Sequence, residues 1–207
     1  RLFTSIILLL LIILMMISNF FLIFTLIVLG VLSVLEFLKL TQKVFKKKLY
    51  YFTINLVFLI YLSVFCFLFF FFSNFPQTKI ILFIILSGCI SSDIGGYIFG
   101  KTFKGPKLTK ISPNKTYSGM FGSIFLTLLI FSTIIFYLTN NLSYKIILYA
   151  LTTSISCQIG DLVFSYLKRK AKLKDTGNFF PGHGGVLDRI DGVLLGMPIG
   201  FISMLLL

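Results

Sequence analysis

The chain has 207 residues, 57% of them hydrophobic, a net charge of +13 and a mean hydropathy of +1.03. These values exclude an ordinary soluble domain, and no polar stretch is long enough to add one. Apolar runs of roughly 18 or more residues recur, the length that crosses a hydrocarbon core of about 30 Å, so the sequence predicts an all-α polytopic membrane protein.

Seven helices are predicted, near residues 2–17, 20–38, 49–72, 80–100, 119–139, 146–164 and 192–207. The first apolar run resembles the core of a signal peptide, but further spans and no small-residue cleavage site follow it, so it is expected to be a retained helix. Ser18-Asn19 interrupts a run too long for one span and suited to a tight helical hairpin. Ser73-Asn74-Phe75-Pro76 and Asn140-Asn141 supply ordinary turn chemistry. Basic residues test the count, because Lys and Arg concentrate in cytoplasmic loops. They cluster in 39–48, 101–118 and 165–191, leaving only Lys79 and Lys145 in the other connections. Seven spans put all three basic segments on one side, expected to be the cytoplasmic side of a bacterial inner membrane.

Composition also shifts along the chain. Fifteen of the sixteen glycines, and every acid except Glu36, lie beyond position 87. Residues 1–79 are therefore expected to be membrane scaffold and 80–207 a membrane-embedded catalytic region, within a single integral membrane domain. Cys66, Cys89 and Cys157 sit in apolar runs without paired spacing and suit core packing better than metal or disulfide chemistry.

Polar groups gather in four places. Asp93 lies in the fourth span, in SSDIGGYIFG. A carboxylate at that depth either faces a polar cavity or cation or caps a broken helix near the surface, and Gly95-Gly96 would permit close backbone approach or an unwound turn. The segment 101–119 holds five lysines with Ser112, Lys115 and Thr116; hydroxyls and turn amides there suit phosphate, although topology alone predicts lysines. The sixth span ends in QIGDLVFSYLKRKAK, where a continuing helix puts Asp161, Ser165, Lys168 and Lys172 on one face. Lys168 and Arg169 also complement the helix's negative end. Last, KDTGNFFPGHGGVLDRID over 174–191 holds three of the six acids, four glycines and the only histidine. PGHGG could form an anion-binding concavity, and Asp188 and Asp191 stand three apart on one helical face. Acids among cations at a membrane surface suit a hard divalent metal with a polyphosphate, which points to a metal-dependent phosphoryl or nucleotidyl transferase.

The run SYLKRKAKLKDTGNFFPGHGGVLDRID, from Ser165 to Asp191, resembles the signature of the phosphatidate cytidylyltransferases, or CDP-diacylglycerol synthases. SSDIGGYIFGKTFKG, SPNKT and IGDL are similar to further motifs of that family, so the likeness covers roughly 88–200 strongly. It reaches the N-terminal helices only weakly, through Arg1 and Leu35-Glu36-Phe37. Ile94, Ser118 and Phe164 depart from it, where many members have Thr, Glu and Glu.

The resemblance implies the Mg²⁺-dependent reaction of CTP with phosphatidate to CDP-diacylglycerol and pyrophosphate, at the lipid bilayer. It implies Asp161, Asp188 and Asp191 as metal ligands, with Lys168 and Arg189 completing the catalytic set. Asp93, Ser112, Lys115, Thr116, Ser165, Arg169, Lys174, Asp175, His183, Gly184 and Gly185 would line the nucleotide and phosphate site. It leaves room for a second, monovalent cation and for a homodimer; no nucleic-acid partner is expected. Rival readings are a CTP-dependent polyprenol or phytol kinase, whose alcohol acceptor would want a base, an ion or proton transporter using Asp93 and Asp161, and a non-catalytic paralogue. The transporter leaves the whole 165–191 run unexplained.

Overall fold

The structure is a computed structural model that describes residues 2–109, 112–113, 115–177 and 184–206. Among the described residues seven helices run α1(Leu2–Ile17), α2(Asn19–Val44), α3(Lys48–Ser73), α4(Pro76–Phe103), α5(Tyr117–Thr139), α6(Lys145–Lys170) and α7(Leu187–Leu206). α2 to α7 are each long and apolar enough to cross a membrane, and α1 is a shorter apolar helix. The chain is an all-α polytopic membrane protein. Helices suit this solvent because each closes its own backbone hydrogen bonds where no water can.

The predicted spans are all present, with several ends extended. α2, α4 and α6 continue through the first basic residues beyond their apolar runs, to Lys43, Lys101 and Lys168–Lys170. Cations in a last turn meet the partial negative charge of the exposed carbonyls. α7 starts at Leu187 rather than near 192, so Asp188 and Asp191 fall within its first two turns. The breaks have local causes. Ser18 is extended between α1 and α2, and Asn140 closes α5 in the left-handed region (φ 53°) that asparagine tolerates. α6 ends in paired bonds, Lys172 N–H to the Arg169 carbonyl (3.0 Å) and Leu173 N–H to the Lys168 carbonyl (2.9 Å), with Lys172 left-handed at φ 57°. Lys172 therefore lies past the helix and does not extend the face of Asp161, Ser165 and Lys168, contrary to the sequence expectation.

The chain divides into two units, 1–79 with 167–190, and 80–166 with 191–207. In the first, α1 packs on α2 and α2 on α3. Phe37 stacks on Phe58 with centroids 3.8 Å apart, and Thr41 bonds Asn55 at 3.0 Å. The Lys170 ammonium stands 5.3 Å from the Phe45 ring centroid, which ties the end of α6 to the end of α2.

The second unit is packed through small residues. A Cβ at Gly95 would stand 2.5 Å from the Gly122 carbonyl oxygen, and one at Gly119 2.8 Å from that of Gly96. α4 and α5 thus touch backbone to backbone, as membrane helices do where glycine removes the side chain. Gly95-Gly96 accordingly serves close approach inside an unbroken α4, not an unwound turn. Hydroxyls cross between the helices: Ser123 donates to the Ser92 carbonyl (2.7 Å), and Ser92 and Ser154 meet at 3.0 Å. α7 lies on α6 in the same way, with a Cβ at Gly160 meeting the Asp191 carbonyl oxygen at 2.6 Å and one at Gly192 meeting that of Cys157 at 3.2 Å. Cys89 and Cys157 are buried free thiols, and Cys66 is half-buried.

Candidate active site

Among the described residues each unit holds a centre built on a paired carboxylate, and α6 and α7 contribute to both. In the first unit the centre is Asp188, in the opening turn of α7. Its Oδ1 accepts from the Lys168 ammonium at 2.8 Å. Its Oδ2 accepts from the backbone amides of Thr176 (2.8 Å) and Gly185 (3.0 Å). The pair is nearly dry, with side-chain exposures of 11% for Lys168 and 6% for Asp188. A buried carboxylate is tolerable only when its lone pairs are satisfied, and here both oxygens are.

Glu36 of α2 completes this arrangement. It is buried, and its carboxylate accepts from Thr176 Oγ1 (2.7 Å), Val186 N (2.9 Å) and Leu187 N (2.9 Å). The first amides of a helix lack intrahelical partners and carry partial positive charge. Glu36 and Asp188 together supply acceptors for the first amide of α7, Leu187, and for those of Gly185 and Val186 just before it. The concavity expected around PGHGG is therefore occupied, in its described part, by the protein's own carboxylates. The glycines follow from the same contact. A Cβ at Gly177 would stand 2.6 Å from Glu36 Oε1, and one at Gly185 would collide with the same carboxylate. Gly184 takes φ 79°, where side chains are strained, and a Cβ there would lie 2.9 Å from Asp188 Oδ2 and 3.5 Å from Asp175 Cγ.

In the second unit the centre is Asp161 of α6. Its Oδ2 pairs with the Lys115 ammonium at 2.5 Å, and Ser165, one turn on, donates to its Oδ1 at 3.2 Å. This pair is wetter, with side-chain exposures of 24% for Lys115 and 30% for Asp161. Lys115 is delivered by a short hairpin: Leu108 N–H bonds the Lys115 carbonyl (2.8 Å), Tyr117 N–H the Pro106 carbonyl (3.1 Å) and Lys115 N–H the Ser112 carbonyl (3.0 Å). Thr116 caps α5 by accepting from Gly119 N at 3.1 Å, and the Ser118 hydroxyl donates to the Lys104 carbonyl. Asp191 is buried, with Oδ1 accepting from Gly192 N at 2.8 Å. Because Gly160 rests on the Asp191 backbone, Asp161 and Asp191 stand at one crossing of α6 and α7.

The remaining expected residues are more open. Asp93 is on an exposed part of α4, and Lys174, Asp175 and Arg189 are exposed. Arg169 is exposed too and donates to the Leu173 carbonyl at 3.4 Å. His183 lies outside the described residues. Glu36 was not among the expected site residues. The signal was available, since an ionisable residue inside an apolar span marks function by default, and Glu36 is the only acid before position 88.

Among the described residues no three His, Cys, Asp or Glu side chains converge as a metal cage. The oxygens present still fit a hard cation that needs one or two carboxylates and takes its other ligands from water and phosphate. Asp161, partly exposed beside a hydroxyl and a compensating ammonium, has that character.

The sequence model of the Cytidylyltransferase family matches residues 1–207. The chain belongs to the cytidylyltransferase family. Relatives named phosphatidate cytidylyltransferase include one from Rickettsia bellii, 44% identical over 129 residues, covering 57% of this chain and 55% of the relative. One from Rickettsia typhi is 45% identical over 130 residues (58% and 57%), and one from Mycobacterium leprae 35% identical over 127 residues (61% and 41%). The matched part spans about half the length of these curated relatives. The Lys168–Asp188 and Lys115–Asp161 pairs are thus features of a cytidylyltransferase-family chain.

Proposed function

We propose that this family member transfers the cytidylyl group of CTP to phosphatidate, making CDP-diacylglycerol and pyrophosphate at the cytoplasmic face of a bacterial inner membrane. The observation that carries this reading is the 165–191 run, in which the family signature coincides with the Lys168–Asp188 pair in a chain whose relatives bear the matching name.

A phosphate oxygen of phosphatidate attacks the α-phosphorus of CTP, a new P–O bond forms, and the bond to the β-phosphate oxygen breaks as pyrophosphate leaves. The nucleophile is already anionic, so no general base is required. The obstacle is bringing two polyanions together, and positioned positive charge supplies the answer. Lys115, Lys168 and Arg189 serve that purpose, with His183 and Lys174 as further phosphate contacts. Asp161 hands its ammonium partner toward the incoming phosphate, and Ser165 holds the carboxylate's orientation. Asp93, Ser112 and Thr116 are read as nucleotide contacts, and Arg169 and Asp175 as further polar contacts, as the family resemblance implies. Mg²⁺ would supply Lewis-acid neutralisation of the phosphates when bound, with the partly exposed Asp161 as its carboxylate ligand.

The test is purified protein in detergent with CTP and phosphatidate, with and without Mg²⁺, assayed for CDP-diacylglycerol and pyrophosphate. Metal-dependent formation of both is expected. Release of CDP with a phosphorylated polyprenol would instead move the assignment to a lipid kinase.

A further inference from the structure

We propose that Glu36 is a positioning residue for the reaction, acting through Thr176 and residues 185–187 rather than on substrate; its catalytic consequence rests on the function proposed above. Glu36 and Thr176 are 140 residues apart in sequence, and Glu36 and Leu187 are 151 apart. Yet one buried carboxylate bonds a side-chain hydroxyl on one arm of the signature run and two consecutive amides on the other. Asp188 bonds the same two arms, at Thr176 N and Gly185 N. The two acids are parallel struts: Glu36 sets the separation of the arms, and that separation sets the position of the Asp188 carboxylate facing Lys168.

Three further features support this assignment. Gly177 has no room for a Cβ because Glu36 fills it, and Gly185 has none because the Glu36 carboxylate and the Thr176 hydroxyl bonded to it fill it together. A carboxylate buried in an apolar helix is expensive unless fully bonded, and both Glu36 oxygens are used. Its negative charge also lies at the positive end of α7. A scaffold helix with only a lipid-facing role needs none of this.

Glu36→Gln keeps the volume but presents an NH₂ group where Val186 N or Leu187 N needs an acceptor. We expect Glu36→Gln and Glu36→Ala to lower turnover about 10- to 100-fold, the range for partners that orient a site from behind, and to raise the half-saturating CTP concentration. A merely structural role predicts turnover reduced in proportion to folded protein, with half-saturation unchanged, and that outcome overturns the proposal. Gly177→Ala should be harmful alone and less harmful on a Glu36→Ala background, since every atom in the way of its Cβ belongs to Glu36; independent, multiplicative effects would deny the contact. Backbone hydrogen–deuterium exchange at 185–187 gives a readout independent of activity. It should quicken in Glu36→Gln. Unchanged exchange overturns the strut even if the chain makes CDP-diacylglycerol, whereas quickened exchange in a protein without that activity would sink the proposed reaction and leave the strut standing.

Discussion

Asp188 accepts from one ammonium and two amides, so replacing it separates charge from volume. Asp188→Asn keeps the shape but turns one oxygen into a donor, facing either the Lys168 ammonium or the two N–H groups. Breaking a buried ion pair costs about 3–5 kcal/mol, and losing a preorganised charge typically costs about 10²- to 10³-fold in rate. We expect turnover at background and a lower melting midpoint in detergent; near-wild-type turnover would remove Asp188 from the site. Lys115 makes the complementary case. Its pair with Asp161 is about a quarter exposed, so solvent screening keeps its stabilisation below about 1 kcal/mol. Lys115→Met should therefore leave the melting midpoint nearly unchanged while cutting turnover about 10²-fold. A large loss of stability with full specific activity of the folded fraction would reverse that reading.

At the scale of elements, glycine sets where helices meet. Gly95 and Gly122 bring α4 against α5 with no space for a methyl group, since the atom in the way is a backbone oxygen that cannot rotate aside. Gly95→Ala should cost roughly 1–3 kcal/mol, the usual penalty of overpacking. Gly30→Ala is the control, because its Cβ would meet only Cys66 Sγ at an ordinary 3.7 Å. Thermal unfolding of the two variants in the same detergent checks this, and equal midpoints would refute the packing account. The α4–α5 contact also matters to the site, because the hairpin that carries Lys115 springs from the facing ends of these helices.

At the scale of the molecule, 17 of the 19 cations lie at the N-terminus or in the three connections between α2 and α3, α4 and α5, and α6 and α7, with their flanking helix ends. That partition predicts topology. Single cysteines placed at Lys46, Lys107 and Lys174 should all react with an impermeant thiol reagent from the cytoplasmic side, and one at Lys145 from the opposite side. Labelling of any of the first three from the outer side would break the seven-span arrangement and the proposed cytoplasmic access of CTP with it.

Hydropathy alone determined the helices of this chain. A segment in hydrocarbon must close its own hydrogen bonds, so apolar length and the break at Ser18 place α1 and α2 without tertiary information, and the basic clusters mark the connections. The acids were legible too, because charge stands out against an apolar background. Their partners were not. That Lys115 meets Asp161, that Lys168 meets Asp188 and that Glu36 braces Thr176 and Leu187 depend on contacts spanning 20 to 151 residues, which leave no periodicity to read. The same holds for Gly177 and Gly185, which read as freedom in the chain and turn out to be room beside a carboxylate from α2. Local sequence decides what must be helix; only packing decides which buried charge finds which acceptor, since that choice is made by satisfying every polar atom at once.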